Sequence, residues 1–148
     1  MKIIAFDPGG TTGFAVGYLD EEKGILSIRA DEHKFDHNML FAQLVIVKPD
    51  WVITESFEYR SRARTGLELI SSELIGVIKL YAQQSECGFS EQTASTGKGY
   101  YTDAKLKTDG LYEKGKPHAM DALRHLLHWY TFAEGYQYNI QGYERSRS

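Results

Sequence analysis

Three acidic side chains stand at the ends of regular segments. Asp7 follows the apolar run Ile3-Ile4-Ala5-Phe6, Glu55 closes Trp51-Val52-Ile53-Thr54, and Asp121 lies in His118-Ala119-Met120-Asp121, just after Pro117. Carboxylates carried on rigid supports are the oxygen donors that hard divalent cations prefer. His118 and Asp121 are three residues apart, so at a helix start both project from one face of its first turn. That imidazole and carboxylate would complete a site with Asp7 and Glu55. His125 shares nearly the same face, but seven residues at ~1.5 Å each place it roughly 10 Å further along the axis, too far to share an ion. With His33, His37 and His128 it reads as a surface or packing residue. A turn-capping aspartate is the plain structural alternative for Asp7, and a solvent-facing helix start for His118. The acids taken together favour the site.

The elements that must position these groups are legible in outline. An apolar run ended by Pro8-Gly9-Gly10 reads as a buried strand, and Gly9, Gly10 and Gly13 offer backbone freedom for a reversal. The first third reads as a three-stranded meander: residues 2–7, 12–19 and 24–30. A helix over about 36–47 leads through Pro49-Asp50 into the strand that ends at Glu55. After the loop carrying Arg60, Arg62 and Arg64, a long helix spans about 65–84. Leu67, Ile70, Leu74, Val77, Ile78 and Tyr81 recur there at helical spacing, and Leu69, Ile75 and Leu80 widen the apolar stripe. A strand near 88–93, a Gly- and Lys-containing stretch at 95–101, and a short helix over about 102–112 follow. The last helix opens at Pro117, a favoured first position, and runs to about residue 132.

With 148 residues, of which 42% are hydrophobic, the chain suits one domain with a sizeable core. The net charge of −3 is unevenly spread. Asp20, Glu21, Glu22, Asp31, Glu32 and Asp36 crowd the first quarter, whereas Arg60, Arg62, Arg64, Lys98, Lys105, Lys107, Lys114 and Lys116 fall later, near the candidate site in sequence. Local clustering sets the electrostatic footprint more than net charge does. The single cysteine, Cys87, excludes an internal disulfide and a multi-cysteine zinc site, which fits a reducing compartment. The apolar run after Lys2 stops at Asp7, so neither a signal peptide nor a membrane span is expected.

Asp7-Pro8-Gly9 with Thr12-Gly13, Glu55 followed by an aromatic and basic loop, and His118-Ala119-Met120-Asp121-Ala122-Leu123 occur in the order that characterises one family. Over about residues 2–130 the chain resembles the RuvC-like Holliday junction resolvases of the ribonuclease H-like fold, particularly compact phage-type members. The resemblance implies an α/β, ribonuclease H-like domain over 1–133, with a mixed central sheet of about five strands flanked by helices. Residues 134–148 would form a flexible tail. It further implies an endodeoxyribonuclease in which Asp7, Glu55, His118 and Asp121 hold Mg²⁺ or Mn²⁺. Paired ions ~4 Å apart would lower the pKa of a water and neutralise the leaving oxygen, with Asp7 bridging and His118 ligating or moving a proton. The expected substrate is branched DNA, above all a four-way junction, in recombination, repair or phage DNA processing. The expected place is the cytoplasm of a bacterial or phage-infected cell.

Phe57 and Tyr59 suit stacking on unpaired bases, while Arg60, Arg62, Arg64, Lys98, Lys105 and Lys107 suit phosphate contacts. Paired incision of a two-fold symmetric junction points to a homodimer, formed through the helix Leu67 to Tyr81. Three rivals stand beside this reading. One is a broader branched-DNA or flap endonuclease, and another a non-catalytic nucleic-acid-binding module of the same fold. The third is an actin-like sugar kinase, which shares an Asp-x-Gly-x-Thr-Thr start but needs two such domains around its nucleotide.

Overall fold

A computed structural model describes residues 1–57, 66–133, 139–140 and 144–145. The sheet is built from β1 (Lys2–Asp7), β2 (Thr12–Asp20), β3 (Ile25–His33), β4 (Trp51–Glu55) and β5 (Gly88–Gln92), in the spatial order β5-β4-β1-β2-β3. β1 runs antiparallel to β2 and parallel to β4, and β4 runs parallel to β5, so the sheet is mixed as expected. β1 is central. Its alternate residues face opposite ways, and both faces are covered. Ile3 and Ala5 join a core with Leu26, Ile28, Ile53, Leu123 and Leu126; Ile4 and Phe6 join a second core with Leu40, Leu44, Val52, Leu74 and Ile78. That two-sided burial explains why β1 reads as an unbroken apolar run rather than an alternating one.

One face carries α1 (His37–Val47) and α2 (Gly66–Ser85), the other α5 (Pro117–His128). Asp36 caps α1 by accepting a hydrogen bond from the Met39 N–H at 2.8 Å, and the helix ends at Lys48 in the left-handed conformation. On α2, Leu74, Ile75, Ile78 and Tyr81 are buried while Leu69 and Leu80 are exposed, so of the three stripe-widening residues Ile75 belongs to the core. Among the described residues no helix is long and apolar enough to cross a membrane.

Several boundaries depart from expectation, each for a physical reason. β3 continues past residue 30 to His33, because its pairing with β2 runs on to Thr12↔His33. Within the Gly- and Lys-containing stretch, to which the sequence assigns no element, lies α3 (Ala94–Lys98), whose Gly97 lets the backbone approach Arg124 of α5. The following helix, α4 (Asp103–Thr108), stops well short of residue 112, where Gly110 takes a φ of +74°. α5 continues as a π-helical turn, Trp129–Ala133. In the region expected as a flexible tail, β6 (Asn139–Ile140) and β7 (Glu144–Arg145) each pair in parallel with β3, and the rest lies outside the described residues.

Gly13 has a different use from the one expected. None of Gly9, Gly10 and Gly13 has a positive φ, so the reversal after Asp7 proceeds through ordinary angles. The turn is closed instead by Thr12, whose hydroxyl donates to the Gly9 carbonyl at 3.2 Å and accepts from the Gly9 N–H at 3.3 Å. A Cβ on Gly13 would lie 1.8 Å from the carbonyl oxygen of His118. Its missing side chain therefore lets the first turn of α5 settle directly on β2.

Candidate active site

Asp7 and Glu55 end adjacent parallel strands, β1 and β4, whose register pairs Phe6 with Thr54, so the two carboxylates emerge side by side at one edge of the sheet. The first turn of α5 crosses over that edge. Glu32 of β3 fixes its start, accepting hydrogen bonds from the backbone N–H groups of His118 at 3.1 Å and Ala119 at 3.3 Å. These N–H groups have no intrahelical partner, so a carboxylate there both satisfies them and complements the helix dipole. Next to it Lys116 pairs with Asp31 at 3.1 Å and Glu113 at 3.4 Å. Burial pushes Asp31 up, but the Glu32 N–H and the Lys116 ammonium outweigh it and hold the carboxyl below its usual range. Further along α5, Leu123, Leu126, Leu127, Trp129 and Tyr130 are fully or almost fully buried, and each such side chain contributes about 1.5–3 kcal/mol. The helix is therefore a firm support.

Each carboxylate meets a nitrogen from α5. His118 Nδ1 lies 3.0 Å from Asp7 Oδ2. Arg124 Nη1 donates to Asp121 Oδ1 at 2.8 Å, and Lys98 Nζ stands 3.5 Å from Asp121 Oδ2. His125 Nε2 lies 2.9 Å from Glu55 Oε2. Arg124 is itself buried, donates from Nε to the Tyr101 carbonyl at 2.8 Å and pairs with Asp103 as well. Two carboxylates therefore offset its buried charge.

Asp7 shows how closely the acids are coupled. Its carboxyl is pushed from 3.8 up to about 6, by burial first and by the negative charge of Glu55 next, with Asp121 adding to the rise. The hydrogen bond and charge of His118 pull the other way. Asp7, Glu55 and Asp121 thus share one electrostatic neighbourhood, as three residues from β1, β4 and α5. Among the described residues no three His, Cys, Asp or Glu side chains stand close enough to hold an ion between them as oriented, because each acid is turned toward its own nitrogen partner. The chemistry of the donor set nevertheless fits a hard divalent cation. The acids are all-oxygen donors, and the negative charges of Glu55 and Asp121, which add to the effect of burial in raising Asp7, are ones a cation would offset.

Of the surface and packing roles expected for His125, the structure gives the buried one and adds polar partners. The residue is 1% exposed and joins Glu55 to Gln92, whose Oε1 lies 2.8 Å from His125 Nδ1 and whose Nε2 donates to the His125 carbonyl at 3.2 Å. α5 packs against more than one strand, so His118 faces Asp7 of β1 while His125, two turns later, faces Glu55 of β4. His33, His37 and His128 stay in the roles expected: His33 and His128 pack against the rings of Phe14 and Phe132, and His37 faces Glu73 at the surface.

Arg124, Gln92 and Glu32 were not among the sequence candidates. Arg124 carried a signal in its spacing of three from Asp121, and Gln92 in closing a third parallel strand as Asp7 and Glu55 close theirs. Glu32 carried none, because its part depends on how α5 sits over β3. Of the nucleic-acid candidates, Lys98 is exposed beside Asp121, Lys105 Nζ lies 3.5 Å from the Tyr100 ring centre, Lys107 Nζ lies 4.7 Å from that of Tyr112, and Phe57 is exposed. Tyr59, Arg60, Arg62 and Arg64 lie outside the described residues. A cavity of about 630 Å³ opens beside Asp121, lined in part by Lys98, Tyr101, Asp103, Tyr112 and Arg124.

No family model and no curated sequence matches the chain. Solved structures do. Thermus thermophilus RuvC in complex with a Holliday junction substrate superposes with a TM-score of 0.68 at 18% identity, covering 90% of this chain and 96% of the other. The fowlpox virus Holliday junction resolvase gives 0.59 at 16% identity, covering 87% and 97%. The yeast mitochondrial resolvase Ydc2 gives 0.57 at 14% identity, covering 86% and 76%. At these identities the likeness establishes architecture: the chain has the α/β fold of the RuvC-like junction resolvases, over nearly its whole length.

Proposed function

We propose that this protein is a structure-selective endonuclease that resolves four-way DNA junctions by divalent-metal-dependent phosphodiester hydrolysis, working as a homodimer. The observation that carries the reading is the coupling of Asp7, Glu55 and Asp121 at one sheet edge, in a fold shared with three resolvases. Asp7, Glu55 and Asp121, with His118, would hold Mg²⁺ or Mn²⁺. Such ions supply a nucleophilic hydroxide near neutral pH and neutralise charge on the leaving oxygen.

The chain's own residues divide the remaining work. Asp7, buried at the centre, is best placed to serve both halves of the site, while Glu55 and Asp121 flank it. His118 is half-exposed and lies 3.0 Å from Asp7, which suits it to ligate or to move a proton. Lys98 sits at the rim, where its ammonium can turn from Asp121 to a phosphate. The exposed Leu69 and Leu80 of α2 provide the face for a second copy, and two identical sites match the two-fold symmetry of the junction.

The test is cleavage of labelled four-way junction, flap and linear duplex side by side in Mg²⁺ or Mn²⁺. Paired, symmetric cuts in the junction are expected, with loss of activity in chelator and in the Asp7→Asn and Asp121→Asn variants. Full activity in chelator or in either variant would refute the metal site. Preferential cutting of flaps would replace the junction reading with that of a flap endonuclease.

A further inference from the structure

The hydrogen bonds around Glu55 bear on which cation the site accepts, an inference that rests on the metal-site reading above. Gln92 Nε2 donates to the His125 carbonyl and its Oε1 lies 2.8 Å from His125 Nδ1, so the ring is held from its far side. The opposite ring nitrogen, Nε2, is thereby aimed at Glu55 Oε2, 2.9 Å away. Burial of His125 at 1% exposure leaves the ring little room to turn. Three elements meet in this chain of contacts: β5 through Gln92, α5 through His125 and β4 through Glu55. The ring thus engages one oxygen of Glu55, Oε2.

Mg²⁺ and Mn²⁺ favour octahedral sites in which a carboxylate gives one oxygen, whereas Ca²⁺ readily takes both oxygens of one carboxylate in a larger shell. We propose that His125, locked by Gln92, is a positioning residue that confines Glu55 to one free oxygen and so biases the site toward small octahedral cations over Ca²⁺. Partners of metal ligands act in this way generally, and their removal costs about 10–100-fold in affinity or activity.

The experiment measures ion binding to the full chain without DNA. Free Mn²⁺ is followed by electron paramagnetic resonance, and Ca²⁺ and Mg²⁺ by competition against it, for the parent, His125→Leu, Gln92→Leu and His125→Gln, with folding checked by circular dichroism. His125→Leu should weaken Mn²⁺ binding by about 10-fold and shift the Ca²⁺ to Mn²⁺ affinity ratio toward Ca²⁺. Gln92→Leu should shift that ratio the same way by a smaller factor, and His125→Gln, whose amide can donate to Glu55, should restore the parent ratio. A generally weakened structure would lower affinity for both ions together. If His125→Leu fails to fold, Gln92→Leu and His125→Gln decide. An unchanged ratio in the folded variants overturns the positioning role while leaving the metal site standing. A parent chain that binds neither Mn²⁺ nor Ca²⁺ overturns the metal site itself.

Discussion

His118 Nδ1 lies 3.0 Å from Asp7 Oδ2, which ties the first turn of the last helix to the end of the first strand across 111 residues of sequence. The contact exists because Gly13 lets α5 rest on β2 and Glu32 anchors the helix start. It also joins the group expected to move protons to a carboxylate pushed well above its ordinary range.

That displacement makes stability depend on pH. With the Asp7 carboxyl at about 6 in the folded protein against 3.8 ordinarily, the folded state keeps a proton between these values that the unfolded chain has released. Stability of the ion-free protein therefore falls as pH rises through this window, by on the order of 3 kcal/mol once pH exceeds about 6. Asp7→Asn removes the effect. In chelator it should be more stable than the parent at pH 7.5, with the difference shrinking toward pH 4. Urea unfolding at both pH values checks this, and a pH-independent difference between the two proteins would refute it.

Two glycines should respond oppositely to alanine. At Gly13 the new Cβ would meet backbone atoms of His118 and Ala119 at 1.8 to 2.7 Å, so α5 must lift from β2, at a cost of about 3 kcal/mol or more. At Gly76, within α2, a Cβ meets nothing within 4 Å, and alanine should stabilise by about 0.5–1 kcal/mol. Thermal unfolding of the two variants separates the cases; equal midpoints would show that the close approach of α5 to β2 is not rigid.

Leu69 and Leu80 are 68% and 50% exposed on α2, a cost that a partner surface would remove. Changing both to Glu should yield a folded monomer that nicks junctions singly. Light scattering on the parent comes first: only monomer, with and without junction DNA, would refute the dimer.

Replacing Arg60, Arg62 and Arg64 together by Ala should weaken junction binding and reduce the slope of log affinity against log salt by about 0.9 for each phosphate that the protein no longer neutralises. Binding isotherms across a salt series measure this. An unchanged slope would mean that the three arginines stay in solvent.

The order of β1 to β5, α1, α2, α4 and α5, and the positions of Asp7, Glu55, His118 and Asp121 along it, were determined by the sequence itself, because these rest on short-range physics. An apolar run ended by Pro-Gly marks a strand end, Pro117 marks a helix start, and a spacing of three puts His118 and Asp121 on one turn. The tertiary structure alone decided which nitrogen serves which acid. β4 lies beside β1 although two strands and a helix separate them in sequence, and α5 crosses the sheet so that His118 faces Asp7 while His125, two turns on, faces Glu55. It also gave Glu32 its place at the start of α5 and Gly13 its reason to lack a side chain. Such pairings depend on how a helix settles into two cores built from distant segments, and the angle at which it settles comes from packing across the whole sheet, which no local pattern encodes.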